Sequence, residues 1–82
     1  MAFDEHRAAL AEELARLDNL VRQAQGVGRG LEERAEAAAG ETETLADDTA
    51  LARVQSVAKR ARQDLGALGR AVREARDTLR GE

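Results

Sequence analysis

The sequence predicts an all-α protein, an antiparallel two-helix hairpin of the coiled-coil type. The first observation is composition: the 82 residues are dominated by Ala, Leu, Glu and Arg and contain no Ile, Trp, Tyr, Pro or Cys. Strands draw on β-branched and aromatic residues, so this composition disfavours a β-sandwich or barrel. The second observation is two segments with apolar residues at helical spacing, and the third is a glycine between them near the midpoint.

The first helix is predicted over about residues 3–39. Its heptad repeat runs without a break from Phe3 to Ala38, and a repeat sustained beyond three heptads is typical of coiled-coil packing. Position d is Phe3, Leu10, Leu17, Ala24, Leu31 and Ala38, and position a is Arg7, Leu14, Val21, Gly28 and Ala35.

A turn over about residues 40–43 and a second helix over about 44–80 complete the predicted hairpin. Gly40 suits the left-handed residue that follows a helix end, and either Thr42 or Thr44 can cap the next helix by accepting a backbone N–H. Acidic residues near this start and arginines near the far end suit the helix dipole. The second repeat has position a at Leu51, Ala58, Leu65, Val72 and Leu79 and position d at Val54, Ala61, Leu68 and Ala75.

The predicted register of the two helices is centred on the turn. In an antiparallel pair the a positions face d positions, and a pairing centred on residue 41 sets Leu17 against Leu65 and Val21 against Ala61. The charged pairs that this register predicts at one edge are Asp4–Arg76, Asp18–Arg62 and the like-charge Glu32–Asp48.

A second apolar strip is predicted on the other edge of the hairpin. An Ala-rich seam between two helices buries little apolar area. We therefore expect the strip to pair with another hairpin, of the same or a different chain, in a four-helix bundle. The candidate interface residues are Leu20, Val27, Ala50, Val57 and Ala71, and the strip is interrupted by Glu13, Arg34 and Asp64.

Three glycines, Gly26, Gly28 and Gly30, form a candidate hinge in the first helix. Each costs about 1 kcal/mol relative to Ala in a helix interior, so the segment is a kink, a short break, or a flexible site that moves when a partner binds. Because the heptad phase continues through it, we favour a continuous but weakened helix. A dinucleotide-binding loop is rejected, since a helix precedes the glycines and the sixth position is Leu31.

No catalytic, cofactor or metal site is predicted, and we expect a protein that is not an enzyme. Ser56 lacks a general base and an orienting group, and His6 lacks ligands at the helical spacing of three or four. Acidic residues near the turn could accept a hard cation such as calcium, but a solvated face that suits the helix dipole explains them better. These acids are Glu32, Glu33, Glu36, Asp47 and Asp48.

The sequence leaves two classes of partner. The preferred one is another helical protein chain, itself or a paralogue, with a larger client protein as a further partner. The alternative is nucleic acid, because the segment from Arg53 to Arg80 holds eight basic residues against three acidic ones, and such a helix can follow a phosphate backbone. Against the alternative, the whole chain has a net charge of −3 and that segment has no aromatic residue to stack on bases.

The chain's size, midpoint turn, Ala-rich heptads and lack of Cys resemble the Trp-x-Gly helical-hairpin proteins of type VII secretion and their actinobacterial relatives. The likeness covers the whole chain as architecture. The turn reads Ala39-Gly40-Glu41 in place of Trp-x-Gly, and no tyrosine is present for the family's Tyr-x-x-x-Asp/Glu export signal. The resemblance implies a dimeric hairpin that partners or escorts a larger protein.

We expect a cytoplasmic location. No stretch of the sequence is apolar enough to span a bilayer, and the N-terminus has no apolar signal-peptide core. The resemblance leaves export without a cleaved signal peptide open.

Overall fold

The computed structural model describes residues 2–81, which form two long helices, α1 (Ala2–Ala38) and α2 (Leu45–Leu79), joined by residues 39–44. The helices pack against each other in a rod with principal extents of 64 × 17 × 14 Å. Good helix formers such as Ala, Leu, Glu and Arg fill both elements. The predicted all-α hairpin is confirmed.

The start of α2 is fixed by a side-chain cap at Thr44. Its hydroxyl accepts the backbone N–H of Asp47 at 3.1 Å, and the Asp47 carboxylate accepts the N–H of Glu43 at 3.2 Å. The exchange is close to a capping box, in which side chains satisfy N–H groups that have no carbonyl partner at a helix start. Of the two candidate caps, Thr44 is the one that α2 uses.

The connection does not use a left-handed glycine, so the prediction for the conformation of Gly40 is wrong. Among residues 2–81 the positive φ belongs to Gly81, at 83°, just beyond the end of α2. After α1, the N–H groups of Ala39 and Glu41 instead donate to carbonyls three residues earlier, at 3.2 and 3.0 Å. Bonds of this tighter type satisfy carbonyls at a helix end without a positive φ.

The predicted register of the two helices is also wrong. The sequence predicts that Val21 faces Ala61, but in the structure Val21 packs against Gly69. A Cβ built on Gly69 would lie 3.6 Å from Cγ1 of Val21. Gly69 is eight residues further along α2, which is about 12 Å of helix. Each helix therefore overhangs the other at one end, and residues 2–6 of α1 and 45–50 of α2 are all exposed.

Two ion pairs between the helices mark the shifted register. Arg76 lies 3.5 Å from Asp18, and Arg62 lies 3.4 Å from Glu32. Asp18 therefore meets Arg76 rather than the predicted Arg62, and Glu32 meets a cation rather than the predicted Asp48. We call Asp18, Glu32, Arg62 and Arg76 the charged edge of the hairpin.

The helices meet through their a and e positions rather than through a and d. Position a supplies the buried apolar side chains, while position e supplies a buried glycine and a buried carboxylate. These residues are Val21, Ala35, Ala58 and Val72 at position a and Gly69 and Asp18 at position e. Within residues 2–81 no large side chain is fully buried, so the core between the two helices is small.

Asp18 is 6% exposed and is held by arginines from both helices. Its Oδ2 lies 3.2 Å from the Arg22 guanidinium, one turn further along α1, and 3.5 Å from that of Arg76 on α2. A buried carboxylate is tolerated only when it is paired. The contact with Arg76 therefore ties the position of α2 to that of α1.

Arg7 connects α1 to the C-terminal end of α2. Its Nη1 donates to the Leu79 carbonyl, one of the last carbonyls of α2, which have no acceptor role within the helix. The same guanidinium lies 5.2 Å from the centre of the Phe3 ring and 3.9 Å from Asp4. Because a cation is favoured at the negative end of the helix dipole, Arg7 caps α2 while joining the two helices.

The glycine segment at residues 26–30 does not interrupt α1, which is helical throughout Ala2–Ala38. A Cβ added to Gly26, Gly28 or Gly30 would meet nothing within 4 Å, and none of the three has a positive φ. The structure therefore agrees with a continuous helix here. Since neither packing nor backbone geometry requires glycine, weakness of the helix at this point stays a prediction.

Candidate interaction surface

One face of the hairpin carries most of its exposed large apolar side chains. In an antiparallel pair the g positions of both helices lie on the same side of the seam, and the d positions lie between g and the seam. Of the nine large apolar side chains exposed within residues 2–81, eight occupy d or g. We call this surface the apolar face, and its large members are Phe3, Leu10, Leu17, Leu20, Val27, Val54, Val57 and Leu68.

The predicted interface residues all lie in solvent. Leu20 is 57% exposed, Val27 74% and Val57 61%, and Ala50 and Ala71 are exposed too. Apolar residues scattered singly on a surface are normal, whereas a continuous patch marks a contact site. All five g positions are therefore accessible to a partner.

The heptad pattern places the d positions of this face in the seam, so the predicted interface does not include them. Phe3 is exposed because it lies in the overhang of α1, and the other d residues are exposed because the seam is rotated towards e. The one hint in the sequence is the like-charge pair Glu32–Asp48, which the predicted register creates and the observed register replaces with Glu32–Arg62. The exposed d residues are Phe3, Leu10, Leu17, Val54 and Leu68.

Charged residues limit the apolar face. On α1 the d and g positions are apolar from Leu17 to Leu31, with Glu13 before them and Arg34 after them, both at position g and both exposed. On α2 the face is divided by Asp64, which is also at position g. The longest uninterrupted apolar stretch therefore lies on α1.

The basic residues of α2 are partly neutralised within the chain. Among the residues that the structure describes, four of the eight between residues 53 and 80 lie within 4 Å of a carboxylate of residues 2–81. Local pairing of this kind reduces the charge that is available to phosphates. The pairs are Arg60–Asp64, Arg62–Glu32, Arg76–Asp18 and Arg80–Asp77.

The surfaces within residues 2–81 include open grooves along the seam. The groove at the middle of the seam is open and partly charged, with a lining of Gln25, Gly28, Arg29, Glu32, Arg62 and Leu65. Across residues 2–81, no three His, Asp or Glu side chains come together in a way that could hold a metal ion. Neither α1 nor α2 has an apolar stretch of the length that crossing a bilayer requires.

The chain matched no known protein family, no curated protein and no solved structure. The resemblance to the Trp-x-Gly hairpin family therefore stays a prediction.

Proposed function

We propose that this chain is a non-enzymatic protein-interaction module that binds another helical chain through its apolar face, in an assembly, adaptor or chaperone-like role. The supporting observation is that eight of the sixteen Leu, Val and Phe side chains within residues 2–81 lie on one exposed face, whereas the residues buried in the seam are mostly Ala, Val and Gly. A secretion-associated role, implied by the resemblance alone, is a narrower form of the same proposal.

The shape of the face favours a helical partner. The face extends along both antiparallel helices, with apolar side chains at intervals of three and four residues. Rows of side chains with this spacing pack against the rows of another helix. Two helices form one layer, whereas folded domains bury their apolar surfaces between two layers. A partner on this face would supply the second layer and complete a four-helix bundle.

Site-specific photo-crosslinking in the native host tests the proposal. A photoreactive amino acid at Leu20 stands on the apolar face, and the matched control at Glu33 stands on the same helix but points to the opposite side. We expect ultraviolet light to join the chain to a discrete protein from position 20 and not from position 33. Equal, diffuse labelling from both positions would rule the apolar face out as an interaction surface.

The nucleic-acid alternative is separated by its response to salt. Binding to phosphates weakens steeply between 50 and 200 mM salt, by orders of magnitude for several contacts. Burial of an apolar face depends far less on ionic strength. When the host lysate is adjusted to 200 mM salt or treated with nuclease before irradiation, we expect crosslinking from position 20 to persist, whereas its loss under both conditions would favour the alternative.

A further inference from the structure

We propose that the occupant of the apolar face is a second copy of this chain, packed antiparallel with α1 against α1 and the twofold axis beside Ala24. The inference rests on the proposed function, because it names the partner of the same surface. Pairing with a second copy requires the apolar face to be complementary to itself, whereas binding to a different protein does not.

The first argument is the amount of surface that the single hairpin exposes. Its accessible surface is 6545 Å², whereas a compact protein of 8.8 kDa exposes about 4,800 Å². A standard protein interface buries about 800 Å² on each partner. The hairpin therefore has enough surplus surface to bury a full interface, and its largest apolar portion is the apolar face.

The second argument is charge complementarity under the twofold axis. Glu13 and Arg34 are both at position g, and Ala24 lies beside the midpoint between them. When two copies of α1 run antiparallel about that midpoint, Glu13 of each copy meets Arg34 of the other at both ends of the apolar stretch. A parallel arrangement would instead set Glu13 against Glu13 and Arg34 against Arg34, which is repulsive.

The third argument is the match of apolar side chains about the same axis. Leu17 and Leu31 are each seven residues from Ala24, so each faces the other across the axis. Leu20 and Val27 are four and three residues away on opposite sides, and they also meet. The small side chain of Ala24 at the centre allows the helix axes to approach closely.

The fourth argument is length. α1 overhangs at one end of the rod and α2 overhangs at the turn end, so Ala24 lies near the middle of the whole hairpin rather than near one end of it. An axis at mid-length lets two antiparallel copies overlap along nearly their full length. The α2 part of the face, which Asp64 divides, then lies at the margin of the interface.

Sedimentation equilibrium and native mass spectrometry of the full chain test the proposal. From 1 to 100 µM, we expect wild type to approach twice the 8.8 kDa chain mass. Val27→Asp should weaken association by about 100-fold, because two carboxylates would be buried near the axis. The matched control is Leu45→Asp: Leu45 is 81% exposed but lies off the face, so this variant should associate like wild type.

Charge reversal tests the antiparallel arrangement. Glu13→Arg and Arg34→Glu should each weaken the dimer by about 5- to 30-fold, because each turns two attractive contacts into repulsive ones. The double variant should restore wild-type affinity. Glu33→Arg, on the opposite side of α1, is the control for charge alone and should change nothing.

Helical circular dichroism of each variant at high concentration separates failure to fold from failure to pair. A folded wild type that remains a monomer at 100 µM overturns the self-pairing proposal and leaves crosslinking to a different protein as the test of the broader function. A dimer that is indifferent to Val27→Asp, or a double charge reversal that fails to restore pairing, also overturns it. Loss of both self-pairing and crosslinking would remove the proposed function itself.

Discussion

The two sides of the seam differ in what their side chains contact. At the charged edge, Asp18 and Glu32 on α1 meet Arg76 and Arg62 on α2, so polar groups are joined within the chain. On the apolar face, Leu20 and its neighbours extend into solvent. The difference teaches that one side of the seam joins polar groups within the chain, while the other leaves half of the Leu, Val and Phe side chains of residues 2–81 exposed.

The largest expected change in stability comes from comparing a buried with an exposed valine of α1, each replaced by Asp. Val21→Asp places a carboxylate in the seam, where the wild-type side chain is buried, and we expect it to destabilise the hairpin by about 3 kcal/mol or more. Val27→Asp lies one and a half turns away on the exposed face and should leave the fold intact. Thermal unfolding at 1 µM checks this, and a comparable loss of stability in both variants would contradict the contrast.

The next largest expected change in stability comes from the glycine segment. Substitutions there touch neither the charged edge nor the apolar face, because a Cβ added at these glycines meets nothing within 4 Å. Replacing Gly26, Gly28 and Gly30 together with Ala should stabilise the chain by about 2–3 kcal/mol, because each site is helical and has room for a Cβ. Urea unfolding measures the gain. Gly81→Ala is a control with the opposite expected sign, because the φ of 83° at Gly81 makes alanine strained there. A triple variant with unchanged stability would show that the glycine segment does not weaken α1.

The charged edge should respond more than an exposed charge does. Asp18→Asn keeps the shape of a nearly buried side chain but removes the charge facing Arg22 and Arg76, so we expect a loss of about 1–2 kcal/mol. Glu13→Gln, which affects the exposed pair with Arg16, should cost less than about 0.5 kcal/mol. Chemical unfolding at a monomeric concentration compares the two, and equal effects would argue against charge as the determinant of register.

The smallest effect concerns the start of α2. Thr44→Ala removes the hydroxyl that accepts the Asp47 N–H and should cost about 1 kcal/mol. Thr42→Ala, at the other candidate cap, should cost little because Thr44 already satisfies that helix start. Thermal unfolding of the pair is the measurement, and a larger effect at Thr42 would place the functional cap elsewhere.

Helix location followed from local signals, whereas the register did not. Heptad spacing and the cap at Thr44 depend on residues near each other in the chain, and α1 and α2 lie within a residue or two of where those signals put them. The register depends on which distant residues meet. The small residues along the seam, such as Gly28, Ala35 and Ala58, provide few large side chains that could specify the register by interdigitating. Heptad patterning alone therefore allows several alignments that differ by about two helical turns.

Charge favours the observed alignment by one contact, because both alignments pair two acids of α1 with arginines of α2. The pairing centred on the turn leaves Glu32 against Asp48, while the observed pairing sets Glu32 against Arg62 and Asp18 against Arg76. The candidate surface was therefore only half predictable. Its g residues follow from hydropathy, but its d residues become visible only after the shift rotates the seam towards position e.

The long, thin shape of the hairpin determines how association would appear in solution scattering. Its radius of gyration is 18.5 Å, against about 12 Å for a compact chain of this length. Side-by-side pairing at mid-length would double the forward intensity and thicken the cross-section while the maximum dimension stays near 64 Å. End-to-end joining would lengthen the particle instead, so the distance distribution alone tells the two kinds of contact apart.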